Sequence, residues 1–181
     1  MRIIAGQWRG RKLPVADVPG LRPSGDRVRE TLFNWLAPDL PGAVCADLFA
    51  GTGALGFEAA SRGARQVELV ENNRLAIQNL ERCIEMLGAE QVSVKPMDAM
   101  AWLRSPTEPV FDLLFADPPF DSELHQHIAQ AVSDAGCLKP GGLLYIESPA
   151  DAPSPVVPQG WSAWKEKRIG EVKMLVLKSG G

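Results

Sequence analysis

From residue 44 onward, short apolar runs alternate with helical patterns, and the first run empties into a glycine-rich turn. The runs are Val44–Phe49, Gln66–Glu71, Val92–Lys95, Phe111–Ala116 and Leu143–Glu147. Between them, Ala54–Arg62, Asn73–Leu87, Ala99–Arg104 and Glu123–Ala135 repeat apolar residues at helical spacing. Such alternation predicts an α/β fold with a mostly parallel sheet covered on both faces. Two further runs, Ser162–Lys167 and Val172–Leu177, are joined by a turn at Ile169-Gly170. That connection is too short for a parallel crossover, so the sheet should end in an antiparallel hairpin.

The glycine-rich turn reads Asp47-Leu48-Phe49-Ala50-Gly51-Thr52-Gly53-Ala54-Leu55-Gly56. This G-x-G-x-x-G leaves a strand and opens a helix, the context in which it binds a nucleotide-like cofactor. Alone it would suit a nicotinamide enzyme equally. Asp47 shifts the reading, because an acid at the strand end repels a diphosphate and attracts an ammonium or sulfonium. Glu71 ends the next strand, 20 residues after Gly51, where a carboxylate can accept both ribose hydroxyls of an adenosine. Asp98 follows the third strand. It can accept from an adenine amino group or simply cap the helix that begins there.

The chemistry should sit in Asp117-Pro118-Pro119-Phe120, directly after the apolar run Phe111–Ala116. Two prolines fix the backbone and withhold N–H groups, so the carbonyls are offered as acceptors. Asp117 adds a carboxylate, and Phe120 a face on which a base can stack. A conjugated exocyclic amine is a poor nucleophile. Acceptors on its hydrogens draw it toward tetrahedral geometry and free its lone pair to attack an S-methyl group.

Charge is divided unevenly. The chain of 181 residues has a net charge of −3. Residues 1–36 carry seven basic side chains (Arg2, Arg9, Arg11, Lys12, Arg22, Arg27, Arg29) against three acidic ones, or +4, which leaves −7 for the rest. A basic head on an acidic body points to a polyanion. Glycines at 6 and 10 make a small hairpin plausible there. A helix follows to about Leu36, capped by Ser24 or Asp26, with Val28, Leu32, Phe33 and Leu36 as its apolar stripe. The three cysteines, Cys45, Cys83 and Cys137, form no C-x-x-C pair and read as buried, reduced thiols. His125 and His127 read as a solvated helix surface, and no metal site is expected. The Pro-rich stretch Pro149–Gly160 reads as an exposed connector. No apolar run approaches the ~18 residues of a membrane span, and no signal-like segment opens the sequence, so a cytoplasmic protein is expected.

Asp47–Gly56, Glu71, Asp98 and Asp117–Phe120 together resemble the class I methyltransferases that modify exocyclic amines through an (N/D/S)-P-P-(Y/F) motif. Arg2–Leu13 and Arg22–Asn34 narrow this, for they look like the N-terminal signatures of bacterial 16S ribosomal RNA (guanine-N2)-methyltransferases of the small subunit. One departure is Ser24-Gly25, where two residues such as Thr-Thr are expected. The resemblance implies a doubly wound, Rossmann-like seven-stranded sheet in the order 3-2-1-4-5-7-6 with strand seven antiparallel. It implies one methyltransferase domain over 1–181, with a basic RNA-contacting extension at 1–36 and a catalytic core at 43–181.

The cofactor implied is S-adenosylmethionine, leaving as S-adenosylhomocysteine. Its binding set is Asp47, Phe49, Ala50, Gly51, Thr52, Gly53, Glu71, Asn72, Asp98, Ala99 and Asp117, with Asp117, Pro118, Pro119 and Phe120 catalytic. The N-terminal arginines would contact phosphates of 16S rRNA within the 30S particle, and the enzyme would act as a monomer without a membrane. Rival readings are a DNA adenine-N6 methyltransferase, for which the chain has no residues to spare for a target-recognition insertion, and a protein glutamine-N5 methyltransferase, which gives no reason for the basic head.

Overall fold

Seven strands build one sheet: β1 (Val44–Asp47), β2 (Gln66–Glu71), β3 (Val92–Pro96), β4 (Phe111–Ala116), β5 (Leu138–Pro149), β6 (Ser162–Ile169) and β7 (Val172–Lys178). Their order is β3-β2-β1-β4-β5-β7-β6. Pairs among β1 to β5 are parallel, while β7 runs antiparallel to both β5 and β6. The computed structural model describes residues 1–19, 25–105, 108–120 and 122–180. The expected α/β architecture, strand order and terminal hairpin are all present.

Helices α1 (Asp26–Leu36), α2 (Ala54–Ser61) and α3 (Arg74–Leu87) cover one face of the sheet, and α4 (Ala99–Arg104) and α5 (Leu124–Ala135) cover the other. On the first face, Phe33 of α1 meets Phe115 of β4 with ring centroids 5.8 Å apart. Leu32, Phe33 and Leu36 are fully buried there, each contributing about 1.5–3 kcal/mol. Helix α3 is bounded by Asn73, which accepts from the N–H groups of Leu75 and Ala76, and by left-handed Gly88.

Four local expectations need correction. The N-terminal hairpin is reduced to a single antiparallel bridge, Arg2↔Lys12. It is fastened instead to α2, whose buried Glu58 accepts from the N–H groups of Ile4 (2.9 Å) and Ala5 (3.0 Å), while Ser61 Oγ accepts from Trp8 N–H (3.0 Å). At α1, Gly25 occupies the cap position without a side-chain bond. Asp26 pairs with Arg29 (2.6 Å) instead, and Ser24 lies outside the described residues.

Strand β5 begins at Leu138, so Lys139-Pro140-Gly141-Gly142 lies inside it. The register steps from Phe111↔Leu138 to Leu113↔Leu143, the surplus turning through Gly141 at φ +74°. His125 is buried on the inner stripe of α5 with Ile128, Ala129 and Val132, its Nδ1 3.1 Å from the Ser122 carbonyl. Only His127 matches the solvated reading.

All three cysteines are buried. Burial, aided by Asp112, pushes the Cys45 thiol up to about 12. The connector after β5 is largely exposed, except that Pro155 and Pro158 are buried. Among the described residues no helix is long and apolar enough to cross a membrane, and no cluster could hold a metal ion.

Candidate active site

The glycine-rich turn caps the carboxyl end of β1. Gly53 stands in the left-handed region at φ +78°, and a side chain there would strike the Phe57 ring. A side chain at Gly56 would collide with Leu69 of β2, so this glycine sets how closely α2 lies on the sheet. Asp47, 1% exposed, accepts from Gly56 N–H through Oδ2 at 3.1 Å. Burial first, then the charges of Asp117 and Glu71, push its carboxyl up to about 7 against the lowering pull of two backbone N–H groups.

Glu71 is half-buried at the end of β2. Its Oε2 accepts from Gly51 N–H (2.8 Å), and its Oε1 from Asn72 N–H (2.9 Å) and Asn73 N–H (2.8 Å). One carboxylate thus ties the glycine-rich turn to the turn after β2. Asp98 caps α4 by accepting from Ala101 N–H at 2.9 Å, which realises the capping alternative. Its exposed position beside Met97 and Ala99 keeps it at the same sheet edge.

At the end of β4, Asp117 is half-buried, Pro118 buried, Pro119 exposed and Phe120 45% exposed. An apolar ring so presented can receive a base. The two proline carbonyls are not equivalent. That of Pro119 accepts from both the N–H (3.0 Å) and the hydroxyl (2.6 Å) of Ser122. The turn therefore spends this carbonyl on its own closure, and the expectation of two outward acceptors is corrected at Pro119.

A further acid was missed. The parallel register Phe115↔Tyr145 and Ala116↔Ile146 brings Glu147 beside Asp117. Glu147 is 4% exposed and accepts from the Tyr145 hydroxyl at 2.8 Å. Burial, then Asp117, push it up to about 8, and the Tyr145 hydroxyl acts against them. The signal lay in Leu143-Leu144-Tyr145-Ile146-Glu147, where two-residue alternation sets Tyr145 and Glu147 on one face. Asp47, Asp117 and Glu147 therefore stand near the carboxyl ends of three adjacent strands, on the face covered by α1 and α2. The oxygen Oδ1 of Asp47 is buried with no hydrogen-bond partner among the described residues. A cation suits this cluster of buried acids with one unpartnered oxygen, so the residues present fit the charged part of S-adenosylmethionine.

The basic residues do not converge. Arg29 is 1% exposed, donates to the Arg2 carbonyl (2.9 Å) and pairs with Glu58 (3.5 Å). It is a buried strut and not an RNA contact, which corrects that expectation. Arg11 donates to the Met86 carbonyl at the end of α3 (3.0 Å), and the turn at 6–10 rests on Ser61 at the end of α2. Both helices run back from the site, so Arg9 and Arg11 lie toward the amino ends of the strands, away from Asp117. Exposed Arg2 and Arg27 lie by the start of α1 instead, and Arg22 falls outside the described residues.

The family model described as conserved hypothetical protein 95 matches residues 1–178. The chain is 47% identical over 172 residues to ribosomal RNA small subunit methyltransferase D of Escherichia coli (strain K12), covering 95% of this chain and 86% of that one. Its identity to the Haemophilus influenzae protein of the same name is 43% over 175 residues, covering 95% and 90%. The solved structure of yhhF from Escherichia coli superposes with a TM-score of 0.92 at 42% identity, covering 100% of this chain and 98% of that one.

Proposed function

The chain belongs to the conserved hypothetical protein 95 family, and from that premise we propose that it uses S-adenosylmethionine to methylate the exocyclic N2 amine of a guanine in 16S rRNA, in the assembled small subunit. The observation that carries the reading is the meeting of Asp117-Pro118-Pro119-Phe120 with the glycine-rich turn and the acid Asp47 at one end of the sheet. The names of the Escherichia coli and Haemophilus influenzae relatives support the ribosomal substrate. The choice of guanine N2 rests on the N-terminal signatures Arg2–Leu13 and Arg22–Asn34.

When bound, S-adenosylmethionine supplies an electrophilic methyl group on a sulfonium. The chain's own residues do the rest. Glu71 and Asp98 would hold the cofactor's ribose and adenine, and Asp47 would balance its positive charge. Phe120 stacks on the target base. Asp117 and the Pro118 carbonyl accept from the two amine hydrogens, which frees the nitrogen lone pair for attack. Asp117 then balances the positive charge that develops on nitrogen, until solvent takes the proton.

Label transfer from S-adenosylmethionine to 30S particles, naked rRNA and DNA, followed by nucleoside analysis, tests this. N2-methylguanosine in 16S rRNA is the expected product. N6-methyladenine in DNA, or a methylated protein with unlabelled RNA, would replace the reading with one of its rivals.

A further inference from the structure

The edge strand β6 is left unexplained by the site. Every residue from Ser162 to Arg168 is exposed, and the strand carries Lys165, Lys167 and Arg168 against Glu166 alone. It belongs to the part of the chain whose charge is otherwise strongly negative. Among the described residues neither Lys165 nor Lys167 has an ion-pair partner. The ammonium of Lys165 lies 5.4 Å from the centre of the Trp164 ring, itself 38% exposed.

Register decides where these charges point. Lys165 pairs with Val176 and Lys167 with Met174. The same two β7 residues pair with Tyr145 and Glu147 of β5. Cross-strand partners share a face, and Val176, Met174 and Tyr145 belong to the core beneath α1. Both lysines therefore stand on the α1 side of the sheet, where α1 reaches β6 and β7. Lys167, Met174, Glu147 and Asp117 form one row across the sheet. Three strand spacings, about 14 Å in all, separate Lys167 from Asp117. Arg168, paired with Lys173, projects to the other face.

We propose that Lys165 and Lys167 hold the phosphate backbone flanking the target nucleotide, forming with Arg2 and Arg27 a positive track on either side of α1 that leads to Asp117. This rests on the RNA methyltransferase reading above. Charge complementarity argues for the occupant, since two unpaired ammonium groups on an acidic body favour a polyanion. Lysines also guard exposed sheet edges against pairing with other strands, but guarding does not require them to share the catalytic face.

The test compares Lys165→Gln/Lys167→Gln with Arg9→Gln/Arg11→Gln in binding to 30S particles across a salt series. Glutamine keeps the stems and a polar edge while removing the charge. The lysine variant should flatten the logarithmic salt slope by about 1.4–1.8 units, the loss of two phosphate contacts. Its affinity for S-adenosylmethionine should stay within about twofold, and the arginine variant should keep the wild-type slope. An unchanged slope in the lysine variant overturns the proposal, and self-association with that unchanged slope would assign the lysines to edge protection. Failure of the wild-type protein to bind or methylate 30S particles would instead remove the RNA reading itself, and with it the occupant of this surface.

Discussion

The Tyr145 hydroxyl donates to Glu147 across 2.8 Å inside the sheet, and this one bond keeps a third acid in place beside Asp117 and Asp47. Three carboxylates at adjacent strand ends cannot all ionise cheaply in a buried setting. The result is a site that holds protons by itself and favours a cation.

Stability should therefore fall as pH rises across neutrality. Glu147 goes from an ordinary 4.5 to about 8 on folding, and Asp47 from 3.8 to about 7. Between those limits the folded chain keeps protons that the unfolded chain releases, so raising the pH favours unfolding until both groups ionise. Thermal melting from pH 5 to 9 should show the decline, and Glu147→Gln should flatten its upper part. A melting temperature that climbs over this range in the wild type would contradict the protonated cluster.

Cofactor affinity should move the opposite way. A sulfonium and ammonium beside Asp47 favour its ionised form, so binding expels a proton that Asp47 carries at lower pH. Calorimetric affinity for S-adenosylmethionine should rise from pH 6 to 8 and level off above. Asp47→Asn should weaken binding and remove most of that pH dependence.

Glu71 has two duties, and its variants should separate them. Glu71→Ala loses the acceptor for Gly51, Asn72 and Asn73 N–H groups together with the proposed ribose contacts, each charge-assisted bond contributing about 1.5–3 kcal/mol. Cofactor binding should collapse while binding to 30S particles changes little. Glu71→Gln should recover part of the affinity, because one carbonyl oxygen still accepts.

Arg29→Ala should cost stability without touching RNA recognition. It leaves the fully buried Glu58 with one cation fewer, and breaking a buried pair typically costs about 3–5 kcal/mol. Denaturant unfolding should show the loss. The salt slope of 30S binding should stay at its wild-type value, as befits a strut.

The sequence made most of this legible where local chemistry and tertiary position agree. The turn Asp47–Gly56 and the helix behind it follow from glycines whose freedom the fold needs, so their placement was readable. Alternation gave β5, yet Glu147 went unremarked, since a strand-terminal acid becomes a site residue only once the register brings it against Asp117. Arg29 misled for the matching reason. A basic residue one step from the apolar stripe of α1 looks solvent-facing, until Glu58 on α2 supplies the partner that draws it inward. Charge counted along the chain picks out the basic head from Arg2 to Arg29, whereas Lys165 and Lys167 reach the α1 side of the sheet only through the strand order.

The central claim is that Asp117 acts on the amine during methyl transfer, and Asp117→Ala tests it most directly. The variant should fold, because the residue follows β4 and is only half-buried. Its affinity for S-adenosylmethionine should stay close to wild type. Single-turnover methyl transfer to 30S particles should fall by about two to four orders of magnitude, the usual loss when a positioned acceptor is removed. Asp117→Asn should lose less, and Phe120→Ala should mainly weaken target binding, by about 1–3 kcal/mol. Full transfer activity in Asp117→Ala, or a defect confined to cofactor affinity, would contradict the account.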